Sequence, residues 1–314
     1  MENKPVVKLS EEAPMPASHH LPPPLAGYTF KEHIRSAMTH DTFTATRTED
    51  ETDVIIRVYA LGYLKGDEER RQMLEREVLV SRMCDHPHII ECFPPFMTPT
   101  DLYLVEKAYS GGELFDALES YCRTITNTPP REGERKSMGL PTLLSKRIFR
   151  DLMHAVHYLH TKVGVCHRNI KLENINLTED NRVRLGGLGM AAVLGKPTEE
   201  QPEDAQLRLC CGSKHYIAPE IVEGLVYDGR EVDVWAAGVV LFALLTCGFP
   251  FDSDKGDEAV FQLIGDAEKT LEANPSFHSI DDPLAQDVLR GIFRVDPKVR
   301  LSVEEVLEHP FLQD

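Results

Sequence analysis

The chain has 314 residues, of which 42% are hydrophobic, and a formal net charge of −17 at pH 7. This length and apolar content allow a sizeable core and two lobes. An acidic chain repels nucleic acids and anionic lipid surfaces, and no apolar stretch reaches the length that spans a bilayer, so neither a nucleic acid nor a membrane is expected as a partner.

The first third of the chain predicts a proline-rich tail followed by a small, mostly β region. Residues 1–26 carry six prolines and few apolar residues, which is typical of a disordered, polyproline-like segment. Strands are predicted at Phe43–Thr48, Asp53–Ala60, Ile89–Phe93 and Leu102–Glu106. Between them, residues 68–84 have helical periodicity. The apolar side of this helix would consist of Met73, Leu74, Val78, Leu79 and Met83.

After Ser110 the pattern becomes helical. Residues 121–140 interrupt it with polar residues and Pro129-Pro130, which indicates an insertion loop. A long amphipathic helix is predicted over 143–160, and the nearly continuous apolar run 233–247 predicts a buried helix. Residues 283–314 predict two or three short helices.

Five short motifs follow one another in the helical half. The segment His167–Asn174 reads H-R-N-I-K-L-E-N, and Gly187-Leu188-Gly189 lies 18 residues after Asn169. Further on stand Ala218-Pro219-Glu220, Asp233–Gly238 (D-V-W-A-A-G) and Asp296–Arg300 (D-P-K-V-R).

In their order and spacing these motifs resemble those of eukaryotic protein kinases, with H-R-D-x-K-x-x-N, D-F-G, A-P-E and D-x-W-x-x-G as the reference patterns. The resemblance covers residues 28–313. It implies an α+β, two-lobed kinase-like fold over residues 27–314, with a β-rich N-lobe over about 27–109 containing one long helix, and a larger helical C-lobe over about 110–314.

The structural part of the kinase pattern is intact. The resemblance implies that Arg300 pairs with Glu220, and that Asp233 hydrogen-bonds the backbone of the catalytic loop. His167 and Arg168 would brace the same loop. We therefore expect the chain to keep the fold.

The catalytic part is degenerate. Asn169 replaces the aspartate that accepts the substrate's proton, and an amide is not a useful base at neutral pH. Gly187 replaces the aspartate that binds Mg²⁺, which leaves Asn174 as a residual ligand. Lys171 is retained, and we interpret it as part of the loop scaffold. No competent catalytic residue and no metal are expected.

The nucleotide site is altered as well. The stretch Ile34–Phe43 stands where kinases have a glycine-rich loop, and it contains no glycine. Arg57 takes the place of the lysine that contacts the phosphates, and it is not a conservative replacement. Ile55 replaces an alanine that lies against adenine, and Asn176 replaces a leucine beneath it. We therefore expect no ATP or other cofactor.

Three charged residues are predicted to fill the phosphate end of this site. Glu106 falls at the gatekeeper position, which is usually apolar, and a buried carboxylate there needs a partner. Glu77 stands where kinases have the helix glutamate. We expect Arg57 to pair with both carboxylates.

The activation segment resembles that of the calcium/calmodulin-dependent and AMP-activated kinase branch. The threonine that is phosphorylated there falls on Leu209, so the switch is expected to be absent. Thr198 and Ser213 carry no pattern that singles them out.

Seven cysteines, an odd number without metal-like spacing, predict reduced thiols in an intracellular, cytoplasmic protein. The N-terminus also lacks a signal-peptide pattern. The seven cysteines are Cys84, Cys92, Cys122, Cys166, Cys210, Cys211 and Cys247.

The sequence thus favours a pseudokinase, an inactive kinase-fold module that scaffolds or regulates a protein partner such as an active kinase. The candidate docking elements are the 121–140 insertion, the N-terminal tail and the outer face of helix 68–84. The alternatives are a divergent Ser/Thr kinase with weak activity, which would need ATP and Mg²⁺, and a nucleotide-binding sensor without phosphotransfer.

Overall fold

The structure is a computed structural model that describes residues 21–37, 39–127, 139–194 and 214–313. The first lobe is built on a five-stranded antiparallel sheet in the order β1-β2-β3-β5-β4. Its strands are β1 (Tyr28–Ser36), β2 (His40–Arg47), β3 (Asp53–Ala60), β4 (Cys92–Met97) and β5 (Asp101–Lys107). Two helices follow β3, namely α1 (Leu61–Leu64) and α2 (Glu68–Met83). One face of the sheet buries a cluster around Phe30, Phe43 and Val105, and the face towards α2 buries Leu74 and Leu104.

Helix α2 begins at a capping residue, since the Asp67 carboxylate accepts a hydrogen bond from the backbone N–H of Arg70. Its buried residues are Leu74, Glu77 and Val80. Part of the predicted apolar side was therefore wrong: Leu79 is 62% exposed and Met83 is 52% exposed. The helix turns a carboxylate inwards and leaves two large apolar side chains in solvent.

The strand predicted at Ile89–Phe93 starts three residues later, at Cys92. Ile89 and Ile90 instead pair with Leu185 of the other lobe, and the N–H of Ile90 donates to the Leu185 carbonyl at 2.9 Å. Both isoleucines are buried. Their apolar character reflects the contact between the lobes.

The second lobe is helical, with short strands near the catalytic loop. Its helices are α3 (Leu114–Asn127), α4 (Thr142–Tyr158), α5 (Pro219–Val222), α6 (Gly229–Thr246), α7 (Asp257–Gly265), α8 (Ala267–Ala273), α9 (Pro275–His278), α10 (Pro283–Ile292) and α11 (Val303–Glu308). Its strands are β6 (Gly112–Glu113), β7 (Val165–Cys166), β8 (Ile175–Leu177), β9 (Val183–Leu185) and β10 (Ala192–Val193). Helix α6 is apolar on all sides and almost wholly buried, so the C-lobe core surrounds it. No helix in the described ranges combines the length and the apolarity needed to cross a membrane.

The insertion predicted over 121–140 begins later than expected. Helix α3 continues through Asn127, so residues 121–127 are helical rather than loop. Residues 128–138 lie outside the described residues, as do residues 1–20 of the predicted tail and the activation-segment residues 195–213.

The prediction that all cysteines are reduced was wrong. Cys122 on α3 and Cys247, the residue that caps α6, form a disulfide across 125 residues of sequence, with Cα atoms 6.0 Å apart. Cys84 and Cys92 are free thiols, the Cys166 thiol donates a hydrogen bond to the Ala192 carbonyl, and Cys210 and Cys211 lie outside the described residues. Spacing in sequence could not reveal this pair, because only the packing of α3 on α6 brings the two side chains together.

Candidate active site

The predicted catalytic loop lies between β7 and β8, and a single buried carboxylate organises it. Asp233, at the start of α6, accepts hydrogen bonds from the backbone N–H groups of His167 and Arg168, both at 2.7 Å. The His167 ring is fully buried, and its Nε2 lies 2.8 Å from the Gly186 carbonyl. Arg168 has φ +62°, a backbone conformation that is costly for a residue other than glycine. These bonds hold Arg168 in that conformation and tie the backbone of the loop to α6.

Sequence reasoning missed one member of this network. His160 is buried and lies 2.8 Å from the same Asp233 carboxylate. It sits in a π-helical turn, Leu159–Val163, that extends α4. No sequence motif includes His160. It follows the end of the amphipathic helix α4, and a model of how this helix packs against α6 would have placed it near Asp233.

The position of the catalytic base carries an amide. Asn169 is half-buried, and its backbone carbonyl accepts a hydrogen bond from the Asn174 side chain at 2.7 Å. Lys171 lies 3.8 Å from the Glu173 carboxylate. Asn174 is thus engaged in fixing the loop that carries Asn169.

The space that the side chain of a metal-binding aspartate would need at position 187 is filled by a neighbouring residue. Gly187 has φ +75°, and a Cβ placed on it would lie 2.6 Å from Cγ of Asn174. Among the described residues, no group of three histidine, cysteine or acidic side chains could hold a metal ion. The space in which a carboxylate at 187 would begin is filled by the amide that kinases use as the second ligand.

Arg57, Glu77 and Glu106 come together as predicted. One terminal nitrogen of the Arg57 guanidinium lies 2.6 Å from a carboxylate oxygen of Glu77 and 2.6 Å from one of Glu106. Its other terminal nitrogen donates to the Tyr59 hydroxyl at 3.0 Å. The three residues come from β3, α2 and β5, so the cluster joins the sheet to the helix.

The cluster holds two carboxylates and one cation in a buried place. Burial raises the pKa of Glu106, against the attraction of Arg57. Burial alone would lower the pKa of Arg57, but Glu106 and Glu77 hold it well above its usual value. Burial also raises the pKa of Tyr59 to about 12. Arg57 therefore stays charged, and Glu106 is the member most prone to hold a proton.

The roof of the cleft is a tight hairpin. The β1–β2 turn closes with a hydrogen bond from the Ala37 N–H to the His40 carbonyl at 2.8 Å. In the β2–β3 register Thr42 stands opposite Arg57, and Thr44 opposite Ile55. Thr42 is buried, so a side chain fills space that a glycine would leave open.

The two residues predicted at the base site belong to different lobes. Ile55 is half-buried on β3 of the N-lobe. Asn176 is half-buried on β8 of the C-lobe, in register between Glu113 and Arg184. The structure thus places one of these residues in each lobe, and their roles at a base site stay a prediction.

The tie between α5 and the last helices is present. Arg300 donates two parallel hydrogen bonds to Glu220, at 2.7 and 2.9 Å, and both side chains are buried. It also donates to the backbone carbonyls of Arg294 and Glu231, and its guanidinium lies 5.0 Å from the centre of the Trp235 ring. A bidentate pair with its remaining donors satisfied is the geometry in which a buried ion pair is tolerated.

An antiparallel sheet lobe, a helical lobe around α6 and a loop held by Asp233 define a protein-kinase fold. Residues 40–312 match the family model described as protein kinase domain. The chain belongs to this family, the eukaryotic protein kinase superfamily, and its relatives are of serine/threonine type.

Three relatives illustrate the likeness. A probable serine/threonine-protein kinase of Dictyostelium discoideum is 33% identical over 241 residues, which are 77% of this chain and 25% of that protein. The serine/threonine-protein kinase GIN4 of Saccharomyces cerevisiae is 36% identical over 240 residues, 76% of this chain and 19% of that protein. The serine/threonine protein kinase OSK3 of Oryza sativa subsp. indica is 34% identical over 245 residues, which are 78% of this chain and 42% of that protein. The matched region thus covers less than half the length of each relative.

Proposed function

We propose that this chain is a pseudokinase, a kinase-fold module that acts through protein contacts and does not transfer phosphate. One observation carries the proposal: Arg57, the cation at the phosphate end of the cleft, is already paired with both Glu77 and Glu106 at 2.6 Å. The cluster carries one net negative charge when both carboxylates are ionised and none when Glu106 holds a proton. In either state a triphosphate approaching it meets no free cation.

The altered catalytic positions support the same conclusion. Kinase catalysis rests on positioning and on charge stabilisation by a base, a lysine and metal-bound carboxylates. Asn169 cannot take a proton, and Gly187 has no carboxylate, while Asn174 fills the space beside it. These residues do not fit a Mg²⁺ ion, which prefers several oxygen ligands in octahedral geometry. We propose that the chain uses neither a metal nor a nucleotide cofactor.

The proposed partner is another protein, with an active kinase as the class that a kinase-fold regulator would bind. The outer face of α2 is the described surface that supports this, because Leu79 and Met83 are both more than half exposed and lie one turn apart. We expect the protein to act inside the cell and to bind no nucleic acid.

Weak Ser/Thr kinase activity is the second candidate. It is supported by the 2.6 Å pair of Arg57 with the α2 glutamate and by the bidentate Arg300–Glu220 pair. It is also supported by the kinase relatives. This candidate requires Mg²⁺-dependent binding of ATP.

A thermal-shift titration with ATP, with and without Mg²⁺, separates these possibilities. A ligand at a hundredfold excess over its dissociation constant adds about 2.7 kcal/mol, which corresponds to a rise of several degrees in Tm. We expect no shift at millimolar ATP. A shift that depends on Mg²⁺ would contradict the proposal and support the weak kinase, and a Mg²⁺-independent shift would indicate a nucleotide sensor.

A restored variant tests why activity is absent. Arg57→Lys, Asn169→Asp and Gly187→Asp together return the three charged groups. We expect no phosphotransfer in this triple variant, because Thr42, Ile55 and Asn174 still fill the cleft. Activity in the triple variant would mean that those three charges alone were lost.

A further inference from the structure

The disulfide fixes the C-terminal end of α6 to α3. Cys122 lies on α3, and Cys247 is the residue that follows the last turn of α6. Both residues are half-buried, so a small thiol in solution has access to the bond. Exposed disulfides are more easily reduced than shielded ones, and inside a cell they are usually transient, redox-sensing bonds. The location of the bond therefore suits reversible opening and closing.

The core of the C-lobe is built without help from this bond. Leu114 and Leu118 of α3 are buried in it, and α6 is buried along almost its whole length. Disulfides are essential mainly in small secreted domains, whose cores are too small to hold the fold alone. The reduced chain should therefore stay folded at a lower stability, which a reversible switch requires.

The disulfide restrains a turn that has an unusual backbone conformation. Cys247 has φ +56°, in the left-handed region that is costly for a residue other than glycine. Its backbone N–H donates to the Ala243 carbonyl, and Gly248 follows directly. Opening the disulfide removes a restraint on this conformation, and the glycine allows the chain after it to change direction at little cost.

This turn leads to a residue that holds the end of the activation segment. Phe249, two positions after Cys247, stacks on the His215 ring with the ring centres 4.3 Å apart. The Tyr216 ring stands nearly perpendicular to Phe249 at 5.6 Å. The Tyr216 hydroxyl accepts a hydrogen bond at 3.3 Å from the backbone N–H of Leu172 in the catalytic loop. A movement at Cys247 thus reaches the catalytic loop through contacts of Phe249 and Tyr216.

The other cysteines that the structure describes are poorly suited to thiol exchange. Burial raises the pKa of Cys84 to about 11 and that of Cys92 to about 12, so both stay neutral thiols at neutral pH. The thiolate is the form that attacks a disulfide. Cys166 is buried, and its thiol donates to the Ala192 carbonyl. Within the described part of the chain, exchange should therefore concentrate at Cys122 and Cys247.

We propose that Cys122 and Cys247 form a reversible redox switch that is closed by a small disulfide such as oxidised glutathione and that sets the packing of residues 214–216. In the closing reaction one cysteine thiolate attacks oxidised glutathione, which forms a mixed disulfide and releases one glutathione. The second thiolate attacks the protein sulfur of the mixed disulfide and releases the other glutathione. Two electrons pass to the oxidant, and the two thiol protons end on the two released glutathione molecules.

Equilibration of the full chain in glutathione buffers tests the closing and opening of the bond. Thiols are trapped with iodoacetamide in denaturant and located by mass spectrometry. We expect the bond to be more than about half closed with oxidised glutathione in excess, and more than about half open at the glutathione ratio of a reducing cytosol. Cys84 and Cys92 should remain thiols at every ratio. The inference does not depend on whether the chain transfers phosphate.

Amide chemical shifts of the oxidised and the reduced chain test the effect on residues 214–216, because they report the native conformation and not its stability. We expect changes at Leu172 and over residues 214–216, in addition to those beside the two cysteines. Cys122→Ser should show the shifts of the reduced parent in every buffer.

Phe249→Ala is the decisive variant, because it removes the stack on His215 and leaves both cysteines in place. The bond should still close, while the shift of Leu172 stops responding to the redox state. Leu284→Ala is the matched control: Leu284 is an apolar residue of α10 that is 42% exposed, so its loss should leave the response unchanged. If Phe249→Ala fails to fold, His215→Ala removes the same stack from the other side.

Three results would overturn the inference. One is a bond that stays closed, or stays open, at every glutathione ratio, since neither behaviour is that of a switch. Another is a set of shift changes confined to the immediate neighbours of Cys122 and Cys247. The third is a redox response of Leu172 that persists unchanged in the variant without the Phe249–His215 stack.

Discussion

The side chain of Asn174 lies against Gly187 so closely that the smallest side chain at that position would collide with it. A Cβ on Gly187 would stand 2.6 Å from Cγ and 2.7 Å from Oδ1 of Asn174. The same asparagine donates to the Asn169 carbonyl, so it is not free to turn away without loss. The two altered positions, 169 and 187, are thus joined by one retained residue.

This relationship predicts that Gly187→Asp destabilises the fold rather than restoring a metal site. The positive φ and the overlap with Asn174 should together cost about 2–4 kcal/mol. Chemical denaturation of the parent and the variant measures it. Adding Asn174→Ala should recover part of the loss if the overlap is the cause. A variant as stable as the parent would show that Asn174 moves aside without cost.

The buried Arg300–Glu220 pair predicts a large loss when one partner is removed. Arg300→Met leaves Glu220 buried and unpaired and should lower the free energy of unfolding by about 3–5 kcal/mol. The exposed Arg290–Glu272 pair is a matched control, and Arg290→Met should cost no more than about 1 kcal/mol. The double variant Arg300→Met, Glu220→Leu should recover much of the stability. Equal effects of the two single variants would contradict the role assigned to burial.

Glu106 should make stability fall as pH rises. Burial raises its pKa in the folded chain, so the folded state holds this proton more tightly than the unfolded state does. Its contribution is present at low pH and is lost as pH rises through the folded pKa. Glu106→Gln removes the titration, so the variant should gain Tm relative to the parent as pH rises above the ordinary glutamate pKa of 4.5. A difference in Tm that stays constant with pH would contradict this.

His86 should make stability rise with pH, which is the opposite of the effect of Glu106. Burial and the neighbouring His88 and His154 lower its pKa from 6.5 to about 4. Its contribution is therefore present above pH 6.5 and is lost as pH falls towards 4. The ring stacks on Tyr158 at 4.7 Å, and His86→Phe preserves an aromatic ring without the charge. As pH falls from 6.5 towards 4, the Tm of the variant should fall less than the Tm of the parent. The Tm of each protein at about pH 8 is the reference, because there the difference between them reports packing alone.

The Cys122–Cys247 disulfide predicts a redox-dependent stability. Cys122→Ser opens a loop of 125 residues in the unfolded chain and should cost about 2–5 kcal/mol. Treating the parent with dithiothreitol should bring its Tm down to that of the variant. Cys84→Ser, at a free and half-buried cysteine, is the control: it keeps the disulfide, so its Tm should fall with the reductant as that of the parent does. Two free thiols at 122 and 247 in the untreated protein would contradict the bond.

Local pattern predicted most of the elements of the fold. Strand β3 matches the predicted bounds, helices α2 and α4 lie where apolar periodicity placed them, and α6 contains the nearly continuous apolar run that predicted it. Two of the errors have a common cause. Ile89 and Ile90 look like strand residues because they are apolar, but they are apolar because they face the other lobe. Leu79 and Met83 look like core residues and are exposed. A sequence shows that a residue is apolar without showing what covers it.

In the candidate site, too, some features follow from the sequence and others follow from the packing. The sequence by itself determined which charges are absent, since no fold can give Asn169 or Gly187 a carboxylate, and it placed Arg57, Glu77 and Glu106 through the resemblance. The tertiary structure decided how the remaining groups pair: Arg57 shared by two carboxylates, Asn174 against Gly187, His160 on Asp233 and Cys122 bonded to Cys247. These contacts join residues that are 13 to 125 positions apart. They exist only because packing brings distant segments to within a few ångströms, and hydrogen bonds and disulfides form only at such distances.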